Sequence, residues 1–145
     1  MSKNRLDPIL HHANTQQQDQ AQRLSTTLKT LRDAEAQLQQ LLQYREEYSS
    51  RQTGGNAFSV EDLHNQQLFI NQVNKAIEQQ QHNIEHLSRQ SQQQRIFWQQ
   101  SKTRADAIDE LIQKQANQAR KREEYREQKE NDEFNNRRSG PRSER

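Results

Sequence analysis

Residues 69–112 read FINQVNKAIEQQQHNIEHLSRQSQQQRIFWQQSKTRADAIDELI, and the spacing of their apolar side chains decides the fold. Apolar or small residues recur at every seventh position, at Leu63, Ile70, Ile77, Ile84, Ser91, Trp98, Ala105, Ile112 and Ala119. Three residues further on runs a companion row with Val73, Gln80, Leu87, Gln94, Ser101, Ile108 and Gln115. A strict period of seven is typical of a left-handed coiled coil. The pattern therefore predicts a long helix with one narrow apolar stripe.

The overall composition excludes a compact globular core. Only 28% of the 145 residues are hydrophobic, whereas an ordinary domain has about 45–50%. The 22 basic and 20 acidic residues nearly cancel to a net charge of +2, whereas disordered chains usually carry a high net charge. A sandwich, a Rossmann domain and a barrel are thus excluded, and an elongated helical fold is favoured.

The positions of glycine and proline divide the chain into two helices. No glycine or proline interrupts residues 9–53 or residues 56–139, and Gly54 and Gly55 lie between these runs. We expect a first helix over about residues 6–52, a turn at 53–58 and a second helix over about 60–135. Ser59 is the expected N-cap of the second helix, with Asp62 three residues later and Phe58 and Leu63 as a hydrophobic staple.

The fold class predicted is all-α: a long antiparallel two-helix coiled-coil hairpin whose second helix is longer than the first. The turn is too short for a parallel pair. Residues 1–145 are expected to form this single hairpin domain, with a disordered basic tail at 138–145. The protein is expected to be a monomer.

The apolar stripe of the first helix is less regular. Its predicted positions are Leu24, Leu28, Leu31, Leu38 and Leu42, and the same phase includes Asn14 and Glu35. Beyond Leu38 the stripe moves to Leu41, Tyr44 and Tyr48, which suggests a register change. From the length of the first helix, its N-terminus is expected to lie level with Trp98 to Ala107 of the second helix. The second helix should then project with an exposed stripe of Ile108, Leu111, Ile112, Ala116, Ala119, Tyr125 and Phe134, a pattern typical of a partner surface.

The sequence argues against an enzyme, a cofactor or a metal site. The chain has no Cys and no glycine-rich phosphate loop. His82 and His86 have the spacing of a metal pair, but we interpret them as surface histidines. Acidic residues interleave the basic clusters, which disfavours nucleic-acid binding. No signal peptide or membrane-spanning run is present in the sequence, so we expect a cytoplasmic protein without direct membrane insertion.

Three ordered blocks resemble the FliJ family of the flagellar type III export apparatus. Residues 41–48, LLQYREEY, are similar to the family's leucines followed by Y-x-x-E-Y. Residues 69–77, FINQVNKAI, resemble F-I-x-x-L-x-K-A-I, and residues 129–134, KENDEF, resemble K-x-x-D-E-F. Trp98 and Lys102 also lie where the family often has Trp and Lys one turn apart. The blocks agree in order and spacing along the whole chain.

The resemblance implies a non-catalytic export factor. It implies a hairpin similar to the coiled-coil part of the rotary ATPase gamma subunit, which inserts into the pore of the hexameric flagellar export ATPase. It further implies contact with the membrane protein of the export gate and escort of export chaperones. The protein would then associate peripherally with the inner membrane through the export apparatus.

The resemblance also indicates residues that bind the export gate. The gate-binding positions are Phe69, Val73, Ala76 and Gln80, where Gln80 replaces a residue that can be His in the family. The expected ATPase-binding positions are Leu6, Leu10, Arg120, Lys121, Arg122 and Arg126. Phe69 is compatible both with a widened core and with an exposed binding face.

Three other functions are compatible with a coiled-coil hairpin. They are a generic scaffold, a stalk of the related virulence secretion systems and, least favoured, a nucleic-acid-binding hairpin. Neighbouring genes for a flagellar export ATPase would favour the export factor.

Overall fold

The computed structural model describes residues 4–52 and 59–138, which form two helices. Helix α1 comprises Asp7–Gln52 and helix α2 comprises Val60–Arg138, with 46 and 79 residues. No strand is present over these two ranges. The predicted all-α class with a longer second helix is confirmed. The turn at Gly54 and Gly55, the staple residue Phe58 and the tail from residue 139 onward lie outside the described residues.

Side-chain caps fix the start of each helix. At α1, the Leu6 amide donates to Asn4 Oδ1 over 3.0 Å, and the Asn4 amide donates to Asp7 Oδ2 over 3.2 Å. At α2, the Asp62 amide donates to Ser59 Oγ, and the Ser59 amide donates back to Asp62 Oδ2. This reciprocal pair is a capping box with Asp in place of Glu, and it confirms the predicted N-cap.

The chain divides into two compact units: residues 16–100, and a terminal unit of residues 1–15 with 101–145. In the 16–100 unit, Tyr48 stacks on Phe69, whereas Gln80 Nε2 donates to the Ala34 carbonyl over 2.8 Å. Later residues of α2 thus contact earlier residues of α1, so the helices are antiparallel. In the terminal unit, Asn4 Nδ2 donates to Gln115 Oε1 over 3.2 Å. The predicted antiparallel hairpin is confirmed.

The α2 seam, defined as the residues of its two heptad rows that α1 covers, matches the predicted pattern. From Ile70 to Ile112 every residue of both rows is buried or half-buried. Val73 and Ile77 are 8% and 5% exposed in the 16–100 unit, and Ala105 is 2% exposed in the terminal unit. Burial of this single stripe supplies the hydrophobic stabilisation of a chain too polar for a globular core.

The predicted seam of α1 was wrong in one of its two rows. The second row runs through Ala13, Gln20, Thr27, Ala34, Leu41 and Tyr48, not through Leu28 and Leu42. Ala13, Thr27 and Ala34 are only 2%, 7% and 4% exposed. Small side chains let the two backbones approach closely, so the larger leucines lie beside the seam and are half-buried. The steps of three and four continue past Leu38, so the predicted register change is absent, and Asn14 and Glu35 are exposed.

The prediction of which α2 residues lie level with the N-terminus of α1 was also wrong. Asn4 reaches Gln115, and Ile108 and Ile112 are half-buried, so they are not part of a free stripe. Arg45 Nη1 donates to Asn74 Oδ1 over 3.1 Å, so the N-terminus of α2 extends about two turns past the level of the C-terminus of α1. Val60 and Leu63 in these first turns are accordingly 82% and 53% exposed.

Candidate protein-binding surfaces

An aromatic cluster of Tyr44, Tyr48 and Phe69 joins the two helices in the 16–100 unit. The ring centroids of Tyr48 and Phe69 lie 4.5 Å apart with planes tilted by 39°, and those of Tyr44 and Phe69 lie 5.7 Å apart. Tilted pairs at these distances each contribute about 0.5–1.5 kcal/mol beyond area burial. Phe69 is half-buried and Tyr44 is 55% exposed, so the cluster packs the helices together and also reaches the surface.

The other predicted gate-binding residues differ in accessibility. Val73 is buried against α1, whereas Ala76 and Gln80 are half-buried. Gln80 Nε2 donates to the Ala34 carbonyl and also to Gln37 Oε1 over 3.2 Å. Val73 and Gln80 therefore hold α1 and α2 together, and the accessible part of the stripe consists of Phe69 and Ala76. Phe69 is half-buried, so it contributes both to a widened core and to an exposed binding face, the two alternatives that its spacing left open.

A shallow groove next to the aromatic cluster extends this surface onto α1. It has a volume of about 390 Å³ and is lined by Gln37, Gln40, Leu41, Tyr44 and Gln80. The sequence reading restricted the candidate surface to α2 and missed this α1 half. The signal was present, because Tyr44 and Tyr48 are spaced by one helical turn close to the predicted hairpin turn.

In the terminal unit, residues 113–138 of α2 are exposed at every position, and we call this segment the overhang. Two ion pairs lie along it: Arg120 Nε lies 3.9 Å from Glu124 Oε1, and Arg126 Nη2 lies 2.7 Å from Glu123 Oε2. Pairs at these spacings support an isolated helix. Tyr125 and Phe134 are 69% and 62% exposed on the same segment. The overhang is thus a charged helix without cover from α1.

The predicted ATPase-binding residues fall into a packed group and an exposed group. Leu6 and Leu10 are half-buried, and Leu10 continues the α1 seam beside the buried Ala13. Arg120, Lys121, Arg122 and Arg126 are exposed on the overhang. Both groups belong to the terminal unit, and the hydrogen bond from Asn4 to Gln115 places Asn4 within about two turns of Arg120.

Two general features of the described chain bear on its chemistry. No three His, Cys, Asp or Glu side chains of residues 4–52 and 59–138 group in a way that could hold a metal ion. Over the same residues, neither helix contains a stretch apolar enough to cross a membrane. His82 and His86 are both exposed.

Comparison with known proteins identifies the family. No curated protein matches the sequence significantly. The family described as flagellar FliJ protein matches residues 2–144, which is nearly the whole chain. The match agrees with the helical hairpin and with the three blocks that resemble the family. The chain therefore belongs to the FliJ family, whose members are non-enzymatic factors of flagellar protein export.

Proposed function

We propose that this protein docks in the hexameric flagellar export ATPase, couples it to the membrane protein of the export gate and escorts export chaperones. It acts as a single hairpin domain and as a monomer, in the cytoplasm and at the inner membrane where the export apparatus sits. The observation that carries this proposal is the family match over residues 2–144, joined to a hairpin with one uncovered helical end.

The terminal unit is the proposed ATPase-binding part. A single helix of about 10–12 Å diameter is slim enough to enter a ring, and the overhang is such a helix. Arg120, Lys121, Arg122 and Arg126 are exposed along it and offer donors to acidic groups of a partner. Leu6 and Leu10 hold the neighbouring part of α1 in place and present their remaining apolar surface.

A charge reversal tests this docking site. The variant with Arg120, Lys121, Arg122 and Arg126 all changed to Glu should bind the purified cognate ATPase at least tenfold more weakly than the parent protein. Because salt screens surface charge, the difference between the two should be largest at low ionic strength. The matched control reverses Lys29, Arg32, Lys75 and Arg104, which are exposed elsewhere and give the same net charge. Equal losses in both variants, or no loss in either, would contradict the proposed site.

The aromatic cluster and the accessible edge of Ala76 form the proposed gate-binding surface. Phe69 offers the largest apolar area of the stripe, and partly exposed aromatic side chains are frequent anchors of protein interfaces. Val73 and Gln80 support this surface from within the hairpin, since the first is buried and the second bonds to α1. The gate protein would contact α2 mainly, with Tyr44 and the adjoining groove as its border on α1.

Ala76→Gln tests the gate contact without disturbing the aromatic cluster. Glutamine is a good helix former, so the helix should persist while the larger side chain blocks the surface. We expect weaker binding to the purified cytoplasmic part of the gate protein, measured by titration calorimetry, with an unchanged melting temperature. The control is Gln92→Ala, an exposed position on the same helix away from this surface. Unchanged gate affinity of the Ala76 variant would contradict the contact.

A further inference from the structure

The charges of the overhang are separated into two blocks. Between residues 113 and 122 there are four basic residues and no acidic one: Lys114, Arg120, Lys121 and Arg122. Between residues 123 and 133 the acidic residues outnumber the two basic ones, with Glu123, Glu124, Glu127, Glu130, Asp132 and Glu133 against Arg126 and Lys129. All of these side chains are exposed. The overhang is therefore positive over residues 113–122 and negative over residues 123–133, and it ends with the basic Arg137 and Arg138.

We propose that the overhangs of two copies of this protein pair side by side and antiparallel, the basic block of each against the acidic block of the other. A two-fold axis between Arg122 and Glu123 generates this arrangement, and the same residues then form both halves of the interface. Lys121 and Arg122 of one copy come level with Glu124 and Glu123 of the other, and Arg120 comes level with Tyr125. A parallel pair in register would instead place like charges together, so the charge pattern selects the antiparallel orientation.

A second copy is the occupant that this charge pattern fits. The heptad rows continue into the overhang as Ala119, Arg122, Arg126, Lys129 and Glu133, so no apolar seam is available there for ordinary coiled-coil packing. Attraction between exposed charges is weak for each pair and falls with salt. The pairing is accordingly a weak, salt-sensitive association, and the monomer is the form that remains at high ionic strength.

Self-pairing also covers part of the proposed docking site. Arg120, Lys121 and Arg122 lie at the centre of the paired segment, so a second copy occupies one side of the helix that the ATPase would also contact. This consequence rests on the proposed function, whereas the pairing itself depends only on the charges of this chain. Pairing would keep unbound protein from presenting its charged end, and the ATPase would compete for the same residues.

Sedimentation of the full-length protein alone tests the pairing. We expect a monomer–dimer equilibrium whose dissociation constant is at least tenfold higher in about 300 mM salt than in about 20 mM salt. Reversal of the basic block, by changing Lys114, Arg120, Lys121 and Arg122 to Glu, should leave only monomer. The control that reverses Lys29, Arg32, Lys75 and Arg104 has the same net charge and should dimerise like the parent protein. A parent protein that stays monomeric at low salt, or a reversed variant that still dimerises, overturns the proposal.

A second variant separates charge complementarity from simple loss of a surface. It combines the basic-block reversal with Glu123, Glu124, Glu127 and Glu130 changed to Lys. Its two blocks are exchanged, so it should again pair with itself in the antiparallel orientation, whereas its charges complement those of the parent protein only in a parallel pair. Circular dichroism confirms that the helices persist in both variants. A helical variant that fails to pair with itself overturns the proposal.

Cysteine cross-linking reports the orientation. The chain has no Cys, so single Asn117→Cys and Gln128→Cys variants each carry one thiol. In the proposed arrangement residue 117 of one copy is level with residue 128 of the other. A mixture oxidised at low salt should therefore form the 117–128 disulfide in excess over the two symmetric disulfides. Excess of the symmetric products indicates a parallel pair and overturns the proposal.

Discussion

At the scale of single residues, Phe69 contributes to both the helix interface and the proposed binding surface. It packs against Tyr48 and Tyr44 of α1 in tilted ring contacts and also reaches solvent. Phe69→Ala should lower the free energy of unfolding by about 2 kcal/mol, because the aromatic contacts and their buried area are lost. It should also lower the affinity for the gate protein by about one to two orders of magnitude. Chemical denaturation and titration calorimetry measure the two effects.

Phe97→Ala is the matched control for this experiment. Phe97 lies on the same helix, is 43% exposed and is absent from the proposed surface. It should leave gate affinity unchanged. If binding by the Phe69 variant falls only in proportion to its unfolded fraction, Phe69 is solely a packing residue. If binding is unchanged while the fold is intact, the gate contact does not exist.

Gln94 is a polar residue of the seam whose buried oxygen costs stability. Its Oε1 atom is buried and has no hydrogen-bond partner among the described residues. Gln94→Leu should therefore raise the free energy of unfolding by about 1 kcal/mol, since it removes the unpaired oxygen and adds apolar area. Urea denaturation measures this. Gln93→Leu is the control, because Gln93 is exposed and its change should stay within about 0.5 kcal/mol.

The sequence indicated the candidate residues but not their exposure. Heptad position put Val73 in the companion row, and the structure confirms that it is buried. Phe69 lies one position before Ile70, at the edge of the seam, where exposure depends on the side chains of the facing helix. Those side chains are Tyr44 and Tyr48, and their pairing with Phe69 depends on the register between the helices. The residue pattern of one helix does not specify how the two helices align with each other.

At the scale of the helices, Ala105 and Ala119 report where α1 covers α2. Both occupy the same heptad row, fourteen residues apart, but Ala105 is 2% exposed and Ala119 is exposed. Ala105→Leu should destabilise the hairpin by about 1–3 kcal/mol, because the close approach of the helices leaves no room for the larger side chain. Ala119→Leu should be close to neutral. Thermal denaturation of the two variants distinguishes them, and equal effects would contradict the described end of the helix interface.

The two helices differed in how well their sequences predicted their seams. In α2 the large residues Ile70, Ile77 and Ile84 mark one row directly, so the row predicted from the heptad spacing is the one that packs against α1. In α1 the buried row contains Thr27 and Ala34, whereas the larger Leu28 and Leu42 lie beside it. Hydrophobicity alone favours leucine over threonine, but close packing of two backbones favours the smaller side chain. The prediction therefore selected the wrong neighbour in this row, whereas Leu24, Leu31 and Leu38 of the other row were predicted correctly.

At the scale of the whole molecule, a low apolar content and a continuous heptad pattern are sufficient for the fold class, and the three ordered blocks indicate the family. Which α2 residues pack against α1 and which remain exposed for partners is harder to predict from sequence, because it depends on how far α1 covers α2. The structure assigns packing to the seam and leaves residues 113–138 exposed. The same exposed residues carry both the proposed ATPase contact and the proposed self-pairing.

The most direct test of the proposed coupling role is the ATP hydrolysis rate of the purified cognate export ATPase as this protein is added. Hydrolysis should rise several-fold and saturate as the hexamer is occupied, and this protein alone should hydrolyse no ATP. The variant with Arg120, Lys121, Arg122 and Arg126 reversed should need a higher concentration for the same effect. ATP hydrolysis by this protein alone, or an ATPase whose rate and binding are unchanged by its addition, would contradict the account.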